Sequence, residues 1–313
     1  MDVFVLGSHV SAHSLQVQRL PQRGESIIAE TCWSEHGGKG LNLALGLQRL
    51  GLQTALLLAV GQDAAGTDLL RCLQAEGMDT GYTVRVDAKS GFGVGLVARD
   101  GANSITVYPG ANACLTADHV QAASAGLAAS RLVCAQFEIP DAPILEAFRR
   151  ARQQGIRTLL NPSPWRTPAA GLLALTDILV LNEPEAVVLF GIEPVQQATP
   201  QDWLQRLPLP GWAGELLVVT LAGQGCVALQ RGQAPLHVPA WTVAVRDATG
   251  AGDAFSAGLA CALLHRCGLL AALRFANACG ALTVSRSGVW DALPNQVEVR
   301  DFMAAREGAA SAG

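Results

Sequence analysis

The chain has few charged residues and no cluster of basic ones. Only 15% of its 313 residues are charged, and 22 lysines and arginines against 26 acidic residues leave a formal net charge of −4. A protein that binds nucleic acid normally carries a stripe of Lys and Arg that neutralises phosphates, so this composition argues against a nucleic-acid partner. It does not exclude a nucleotide ligand, which needs local N–H groups and no positive surface.

Signals for export or membrane insertion are also missing. A strand-like run at 2–7 begins the chain without a basic segment before it, and no stretch approaches the roughly 18 apolar residues of a membrane span. None of the eight cysteines forms a C-x-x-C pair, and most lie inside apolar runs, as Cys134 does. We therefore expect free, buried thiols in a reducing compartment, and a cytoplasmic protein with no membrane partner.

What is present is an alternation of short apolar runs with helix-length segments. The apolar runs are rich in branched side chains and bounded by turn residues, which is typical of buried strands; they lie at 3–6, 55–60, 132–135, 158–160, 178–181 and 216–221. Amphipathic segments that predict helices lie at 41–50, 69–76, 144–154 and 184–189. The alternation predicts an α/β fold with a mostly parallel central sheet that is covered on both faces.

Two regions, 10–36 and 91–112, have a different pattern. Polar and apolar residues alternate there, as in 93–97 and 104–108, which predicts antiparallel strands half exposed to solvent. Both regions flank predicted strand ends of the core, where α/β proteins bind ligands. The pattern predicts a small β-sheet lid over a cleft, with an ordinary surface hairpin as the simpler alternative. With a lid, residues 1–9, 37–90 and 113–313 form the core that binds nucleotide and substrate.

The segment Asp247-Ala-Thr-Gly-Ala-Gly-Asp253 carries the strongest chemical signal. Gly250 and Gly252 flank Ala251 just before a helix of small and apolar residues, so that successive backbone N–H groups can converge on an anion. Asp253 falls in the first turn of that helix. A carboxylate beside a phosphate is unfavourable unless it has a task, and accepting the proton of a substrate hydroxyl is one such task. The alternative interpretation is that Asp253 only caps the helix.

A second glycine-rich segment, 36–42, also begins a predicted helix. Because Gly40 follows the lysine, it does not match the Gly-x4-Gly-Lys-Ser/Thr pattern of a P-loop. Lys39 and Asn42 offer donors to hydroxyl groups of a ligand. A plain helix-starting turn explains the segment equally well.

Polar residues also follow several predicted strands. Asn182 and Glu185 lie three apart at a helix start, where they can share one face and hold a hydrated Mg²⁺. Segment 220–225 links two strands and can lie against a nucleotide, and Glu138 adds a carboxylate at the same edge of the sheet.

Taken in order, these segments resemble the ribokinase-like carbohydrate kinases, also called the phosphofructokinase-B family, and among them the ribokinases. The resemblance covers roughly residues 3–300. Its motifs are Val5-Leu6-Gly7-Ser8, Pro21-x-x-Gly24-Glu25, Gly37-Gly38-Lys39-Gly40-x-Asn42, Gly61-x-Asp63-x-x-Gly66, Gly110–Ala113, Asn161–Pro164, Asn182-x-x-Glu185 and Asp247–Asp253.

The resemblance implies a three-layer α/β/α fold and transfer of the γ-phosphoryl group of ATP to a hydroxyl of a sugar. Asp253 is then the catalytic base, and the N–H groups of Gly250, Ala251 and Gly252 form the anion hole. The implied sugar site contains Gly38, Lys39, Asn42 and Glu138. The implied nucleotide site contains Asn182, Thr220, Gly223, Gly225 and Asn277, with Glu185 organising Mg²⁺ through water. An activating K⁺ is implied at Asp247, Thr249, Thr283, Arg286 and Gly288. Members often pair as homodimers through the lid.

One departure from the family bears on the acceptor. Ribokinases carry Asn-x-Asp just after the first strand, where those side chains hold ribose hydroxyls, and here the segment is Val10-Ser11-Ala12. A site that loses such a carboxylate binds the matching hydroxyl poorly, which argues against ribose itself. The alternatives are a nucleoside kinase of the same fold and a non-catalytic sugar- or nucleotide-binding regulator. A Rossmann dehydrogenase is disfavoured because segment 7–12 has one glycine of Gly-x-Gly-x-x-Gly.

Overall fold

The computed structural model of the chain describes residues 1–99, 102–194, 198–207 and 212–311. Its strands are β1 (Val3–Leu6), β2 (Val10–Val17), β3 (Thr31–Gly37), β4 (Thr54–Gly61), β5 (Thr83–Val86), β6 (Phe92–Ala98), β7 (Asn103–Tyr108), β8 (Leu132–Gln136), β9 (Arg157–Asn161), β10 (Ile178–Asn182), β11 (Leu216–Thr220), β12 (Cys226–Gln230) and β13 (Leu236–Val238). Its α-helices are α1 (Lys39–Arg49), α2 (Ala64–Ala75), α3 (Ala117–Ala122), α4 (Ser124–Ala128), α5 (Asp141–Gln153), α6 (Glu183–Phe190), α7 (Pro200–Arg206), α8 (Ala251–Leu264), α9 (Leu269–Val284) and α10 (Gln296–Ser311).

Nine strands form one sheet in the order β13-β12-β11-β10-β9-β8-β1-β4-β5. The strands from β11 to β5 are parallel, and β12 and β13 are antiparallel to their neighbours. Side chains alternate along each strand, so that Val3 and Val5 join a core cluster with α1, α8 and α9, while Phe4 and Leu6 join the cluster on the other face with α5. The predicted three-layer fold with a mostly parallel sheet is confirmed.

All six strands predicted from apolar runs are present, and their bounds differ from the prediction by no more than one residue at either end. The prediction of buried thiols is only partly right. All eight cysteines are free, but Cys32 and Cys267 are exposed and Cys72 and Cys114 are half-buried. Among the described residues there is no helix with the length and apolar character needed to cross a membrane.

The remaining four strands form a separate sheet in the order β3-β2-β6-β7. β2 pairs antiparallel with β3 but parallel with β6, so the expectation of purely antiparallel strands is wrong at that one pairing. The sheet is tied to the core by Glu35 of β3, whose Oε2 accepts the N–H groups of Val289 at 2.7 Å and Trp290 at 3.3 Å. That this sheet is a lid spanning 10–36 and 91–112, and that it forms a dimer interface, stay predictions.

The first turn of α1 lies directly against the end of β1. A Cβ atom built on Gly40 would come within 2.2 Å of the Gly7 Cα atom, and one built on Gly7 would lie 3.2 Å from the Gly40 carbonyl carbon. Gly38, the N-cap of α1, has a φ of 116°, which L side chains rarely adopt. These glycines therefore let the helix start approach the sheet, and they hold Lys39 at the carboxyl end of β1.

We predict that Gly40→Ala lowers the free energy of unfolding by about 1–3 kcal/mol, because the added methyl group must push the start of α1 away from β1. Urea unfolding followed by circular dichroism measures the change. Gly308→Ala is the matched control, since a Cβ there meets nothing within 4 Å and α10 gains about 0.5 kcal/mol of helix propensity. Equal stability of the Gly40→Ala variant and the unchanged protein would contradict the close-approach argument.

Candidate active site

The candidate site lies at the carboxyl ends of β1 and β8. From β1 the chain builds the sheet in one direction through β4 and β5, and from β8 it builds the sheet in the opposite direction. Open α/β sheets bind ligands at such a reversal. Glu138, which follows β8, accepts two hydrogen bonds on its Oε2 atom. One comes from the Ser8 hydroxyl at 2.5 Å, and the other comes from the Lys39 backbone N–H at 2.8 Å. Two strands and one helix start therefore converge on a single carboxylate.

Asp253 lies in the first turn of α8 and faces the start of α1. The residue is 6% exposed, and its Oδ2 atom accepts a hydrogen bond of 2.8 Å from the Asn42 Nδ2 atom. Gly250, with a left-handed φ of 77°, is the N-cap of the helix. The capping interpretation of Asp253 is therefore wrong: its carboxylate is directed at α1 and at the predicted sugar-binding residues.

The charge of Asp253 is held in a buried environment. Burial raises the pKa of Asp253 to about 6, whereas the Lys39 ammonium and the Asn42 hydrogen bond lower it and Glu138 raises it. Conversely, Asp253 is the main cause of a raised pKa at Lys39, against the effect of that residue's own burial. A carboxylate whose pKa lies near neutral pH is suited to accept a proton from a substrate hydroxyl.

The N-terminus of α8 is open beside Asp253. A Cβ atom built on Gly252 would meet no atom within 4 Å, whereas one on Gly250 would meet Val289 at 2.9 Å. The helix has 14 residues, and the N–H groups of its first turn carry a partial positive charge that favours an anion. The predicted anion hole and the predicted base therefore lie at the same helix end.

The residues predicted to line the nucleotide site lie at the ends of β10, β11 and β13. Asn182 caps α6 in a capping box, because its Oδ1 accepts the Glu185 N–H at 2.8 Å and Glu185 Oε2 accepts the Asn182 N–H at 3.0 Å. The Thr220 hydroxyl donates to the Leu181 carbonyl at 3.3 Å. Asn277 donates to the carbonyls of Val238 and Pro239, both at 3.1 Å.

Two glycines follow β11 within the same region. A Cβ atom on Gly223 would meet nothing within 4 Å, whereas Gly225 has a φ of 92° and packs against the backbone of Val238. Gly225 therefore shapes the turn into β12, and Gly223 leaves space above it. The Asn182–Glu185 pair serves local helix capping and leaves Glu185 Oε1 as the oxygen that can face a hydrated Mg²⁺.

Of the residues predicted to bind a monovalent cation, Thr249 and Gly288 contact Asp247. Its Oδ1 accepts the N–H of Thr249 at 2.9 Å and the hydroxyl of Thr249 at 2.6 Å, and its Oδ2 accepts the Gly288 N–H at 3.3 Å. The Thr283 carbonyl accepts the Arg286 N–H at 3.1 Å. One carboxylate therefore joins the loop before α8 to the loop after α9, and the oxygen donors present suit a hard cation.

Two contacts of the site are visible only in the folded chain. Ser8 belongs to the opening motif, but only the fold shows that its hydroxyl holds Glu138. His9 is fully buried, with its Nε2 atom 3.0 Å from the Nδ1 atom of His36, and burial, with a smaller effect of His36, lowers its pKa to about 3. No periodicity in the sequence connects positions 9 and 36. They meet because β2, which follows His9, pairs with β3 in a register that places Val10 opposite Gly37.

A profile of the family described as pfkB family carbohydrate kinase matches residues 2–296. The chain belongs to this family. It is an ATP-dependent kinase that phosphorylates a hydroxyl of a sugar. Among its relatives, it is 32% identical to a ribokinase of Staphylococcus aureus, with 95% of this chain and 98% of the relative aligned. It is 28% identical to a deoxyribokinase of Salmonella typhi, with 98% and 100% aligned.

Solved structures agree with the fold. The structure of Arabidopsis thaliana ribokinase complexed with ribose and ATP superposes with a TM-score of 0.84 at 28% sequence identity, over 96% of this chain and 98% of that one. The resemblance inferred from the motifs is thus confirmed for the family, the fold and the class of reaction. The roles of individual side chains rest on the geometry described above.

We predict that Asp253→Asn changes the pH dependence of stability. The folded protein protonates Asp253 near pH 6 and the unfolded chain near 3.8, so the unchanged protein loses stability as the pH rises through this window. An asparagine at position 253 does not titrate, so the variant does not lose stability in this way. The stability of the variant relative to the unchanged protein should therefore increase by up to ~3 kcal/mol between pH 4 and pH 8. Unfolding curves of both proteins at several pH values measure it, and parallel pH profiles would contradict the burial argument.

Proposed function

We propose that Asp253 is the catalytic base of this kinase and that the first turn of α8 stabilises the phosphoryl group during transfer. The observation that carries the proposal is the position of the Asp253 carboxylate. It is buried, bonded to Asn42, beside Lys39, and next to the open N-terminus of α8. A regulator that only binds its ligand needs no buried carboxylate whose pKa lies near 6.

In the proposed reaction, Asp253 accepts the proton of the acceptor hydroxyl. The oxygen then attacks the γ-phosphorus of ATP, a new P–O bond forms, and the bond between the γ-phosphorus and the oxygen bridging it to the β-phosphate breaks to release ADP. The N–H groups of Gly250, Ala251 and Gly252 face the charge on the transferred group. Lys39 and Asn42 bind and orient the acceptor, and Glu138 holds the Lys39 backbone in place.

The nucleotide is proposed to lie across the ends of β10 and β11, above Gly223 and against the loop that Asn277 holds. Mg²⁺, when bound near Glu185, neutralises charge on the β- and γ-phosphates. A K⁺ ion in the loop around Asp247 is proposed as well, because that loop leads directly into the anion hole at Gly250. Such an ion orders the helix start and does not contact the acceptor.

The acceptor is proposed to be a sugar with an apolar or missing group where ribose has a hydroxyl. Val10 and Ala12 lie on the same face of β2, since side chains alternate along a strand. Val10 and Glu138 line a cavity of about 550 Å³. The other walls of this cavity are largely apolar and include Phe137 and Ile139. The relatives described above are named as kinases of ribose and of deoxyribose. This chain has Ala12 where ribokinases have the carboxylate that holds a ribose hydroxyl.

A nucleoside is the second candidate acceptor, and the largely apolar wall of that cavity favours it. Its volume lies within the roughly 300–1,000 Å³ typical of small-molecule sites. A base attached to the sugar would be placed against Phe137, Ile139 and the prolines of the cavity wall. A panel that pairs each free sugar with its nucleoside separates the two candidates, because a nucleoside kinase turns over the nucleoside with the higher kcat/KM.

We predict that Asp253→Asn lowers kcat by about 10²–10⁴-fold while the affinity for ATP changes little, because one proton acceptor is lost and the nucleotide site is untouched. ADP release coupled to an absorbance change measures turnover, and calorimetry measures ATP binding. In the unchanged protein, kcat/KM should fall as the pH drops below about 6, where Asp253 becomes protonated. A variant with nearly normal kcat would refute the assignment of the base.

We predict that Val10→Asn with Ala12→Asp raises kcat/KM for ribose by about 10–100-fold, because a hydrogen bond to a charged group contributes roughly 1.5–3 kcal/mol. The native acceptor should lose efficiency in the same variant. Kinetics on ribose, 2-deoxyribose, fructose and nucleosides measure both effects. The matched control, Ser11→Asn with His13→Asp, places the same side chains on the opposite face of β2 and should leave ribose turnover unchanged. Ribose as the best substrate of the unchanged protein would overturn the proposal.

A further inference from the structure

Three side chains with metal-binding atoms meet where the smaller sheet joins the core, and one of them is His36, the partner of the buried His9. His36 comes from β3, and Asp68 and Cys72 come from α2. The His36 Nε2 atom lies 3.0 Å from Asp68 Oδ2, and the ligand atoms of all three residues lie within 4.8 Å of one another. Asp68 and Cys72 are four residues apart, so they share one face of the helix.

The neighbours of His36 hold its ring in the orientation that a metal ligand needs. Its Nδ1 atom is engaged with the buried His9 ring at 3.0 Å, which leaves Nε2 facing Asp68 and Cys72. Histidines that bind metals generally have the second ring nitrogen fixed by such a bond. The His36 side chain is 13% exposed and Asp68 is 48% exposed, so an ion can enter from solvent on the side of α2.

The competing partner of this cluster is weak. Arg71 contacts the other oxygen of Asp68, Oδ1, at 2.5 Å, but the Arg71 side chain is 80% exposed. Exposed ion pairs of this kind contribute little to stability. Oδ2 remains directed at His36, so the cluster does not have to break a buried salt bridge to accept an ion.

The three donor types select the ion. Imidazole nitrogen, carboxylate oxygen and thiolate sulfur together suit Zn²⁺, whereas Mg²⁺ and Ca²⁺ prefer oxygen ligands alone. Tetrahedral coordination at Zn²⁺ bond lengths places ligand atoms ~3.3–3.8 Å apart, so ligand atoms at the 4.8 Å limit have to approach one another by about 1–1.5 Å. A water molecule can occupy the fourth position.

We propose that His36, Asp68 and Cys72 form a site for one Zn²⁺-class ion, and that this ion fastens strand β3 to helix α2. Binding releases the thiol proton of Cys72 to solvent, one proton for each ion. The neutral His36 ring coordinates through Nε2 and carries its proton on Nδ1, from which it donates to the Nε2 atom of His9. Because Gly37 and Gly38 follow His36 directly and lead into Lys39, the ion restrains the smaller sheet at the point where it enters the candidate sugar site. The Mg²⁺ of the kinase reaction does not use this site.

The first test is Zn²⁺ binding to the full chain after its metals have been removed with a chelator. Titration against a chromophoric zinc chelator should show one ion per chain, and Cys72→Ser should weaken binding by about 10–100-fold. Cys267→Ser is the matched control, because it removes a solvent-exposed thiol outside the cluster and should leave binding unchanged. Co²⁺ should give a thiolate charge-transfer band that Cys72→Ser abolishes and Cys267→Ser retains.

The second test follows hydrogen exchange at the amides of β3 with and without Zn²⁺. The ion should slow exchange there in the unchanged protein and in Cys267→Ser, but not in Cys72→Ser. Asp68→Asn provides a second variant if Cys72→Ser does not fold. Zn²⁺ affinity that survives both Cys72→Ser and Asp68→Asn would overturn the site. Binding that leaves exchange in β3 unaltered would overturn the link between β3 and α2.

Discussion

The backbone of α1 touches the end of β1 at Gly7 and Gly40, and the geometry of the candidate site depends on that contact. A side chain at either glycine would separate the helix start from the sheet. With the contact in place, the Lys39 N–H reaches Glu138 and the Asn42 side chain, one turn later, reaches Asp253. The glycines that a sequence pattern suggests for ligand approach thus serve first to pack a helix on a strand.

Burial sets the chemistry of the cluster that this contact assembles. Asp253 is removed from water, and Lys39 and Asn42 compensate only part of the cost, so the carboxylate titrates near pH 6. Asp253 lies at a helix N-terminus whose positive end also favours a phosphate. The structure therefore keeps an energetically unfavourable charge at a helix end that also favours an anion, which is a common compromise between stability and activity.

Polar side chains of β3 join the smaller sheet to the core. Glu35 binds the backbone of Val289 and Trp290, and His36 contacts Asp68 on α2. Contacts of this kind can be broken and remade more easily than a packed apolar surface. Val10, at the start of β2, lines the cavity beside Glu138, so the smaller sheet also forms part of the wall of that cavity.

The amino-acid sequence by itself determined the layered α/β fold, because short branched runs and helical periodicity are local patterns that each segment carries alone. It also determined the family and the position of Asp253, since the glycine spacing at 247–253 is local too. The short strand β13 and the parallel pairing of β2 with β6 were beyond its reach. Only the tertiary structure decided that Asp253 is not a cap and that Ser8 holds Glu138. It also decided that His36 lies beside His9 on one side and beside Asp68 and Cys72 on the other. Contacts between residues distant in sequence depend on strand register and on how helices pack on the sheet, which no local pattern contains.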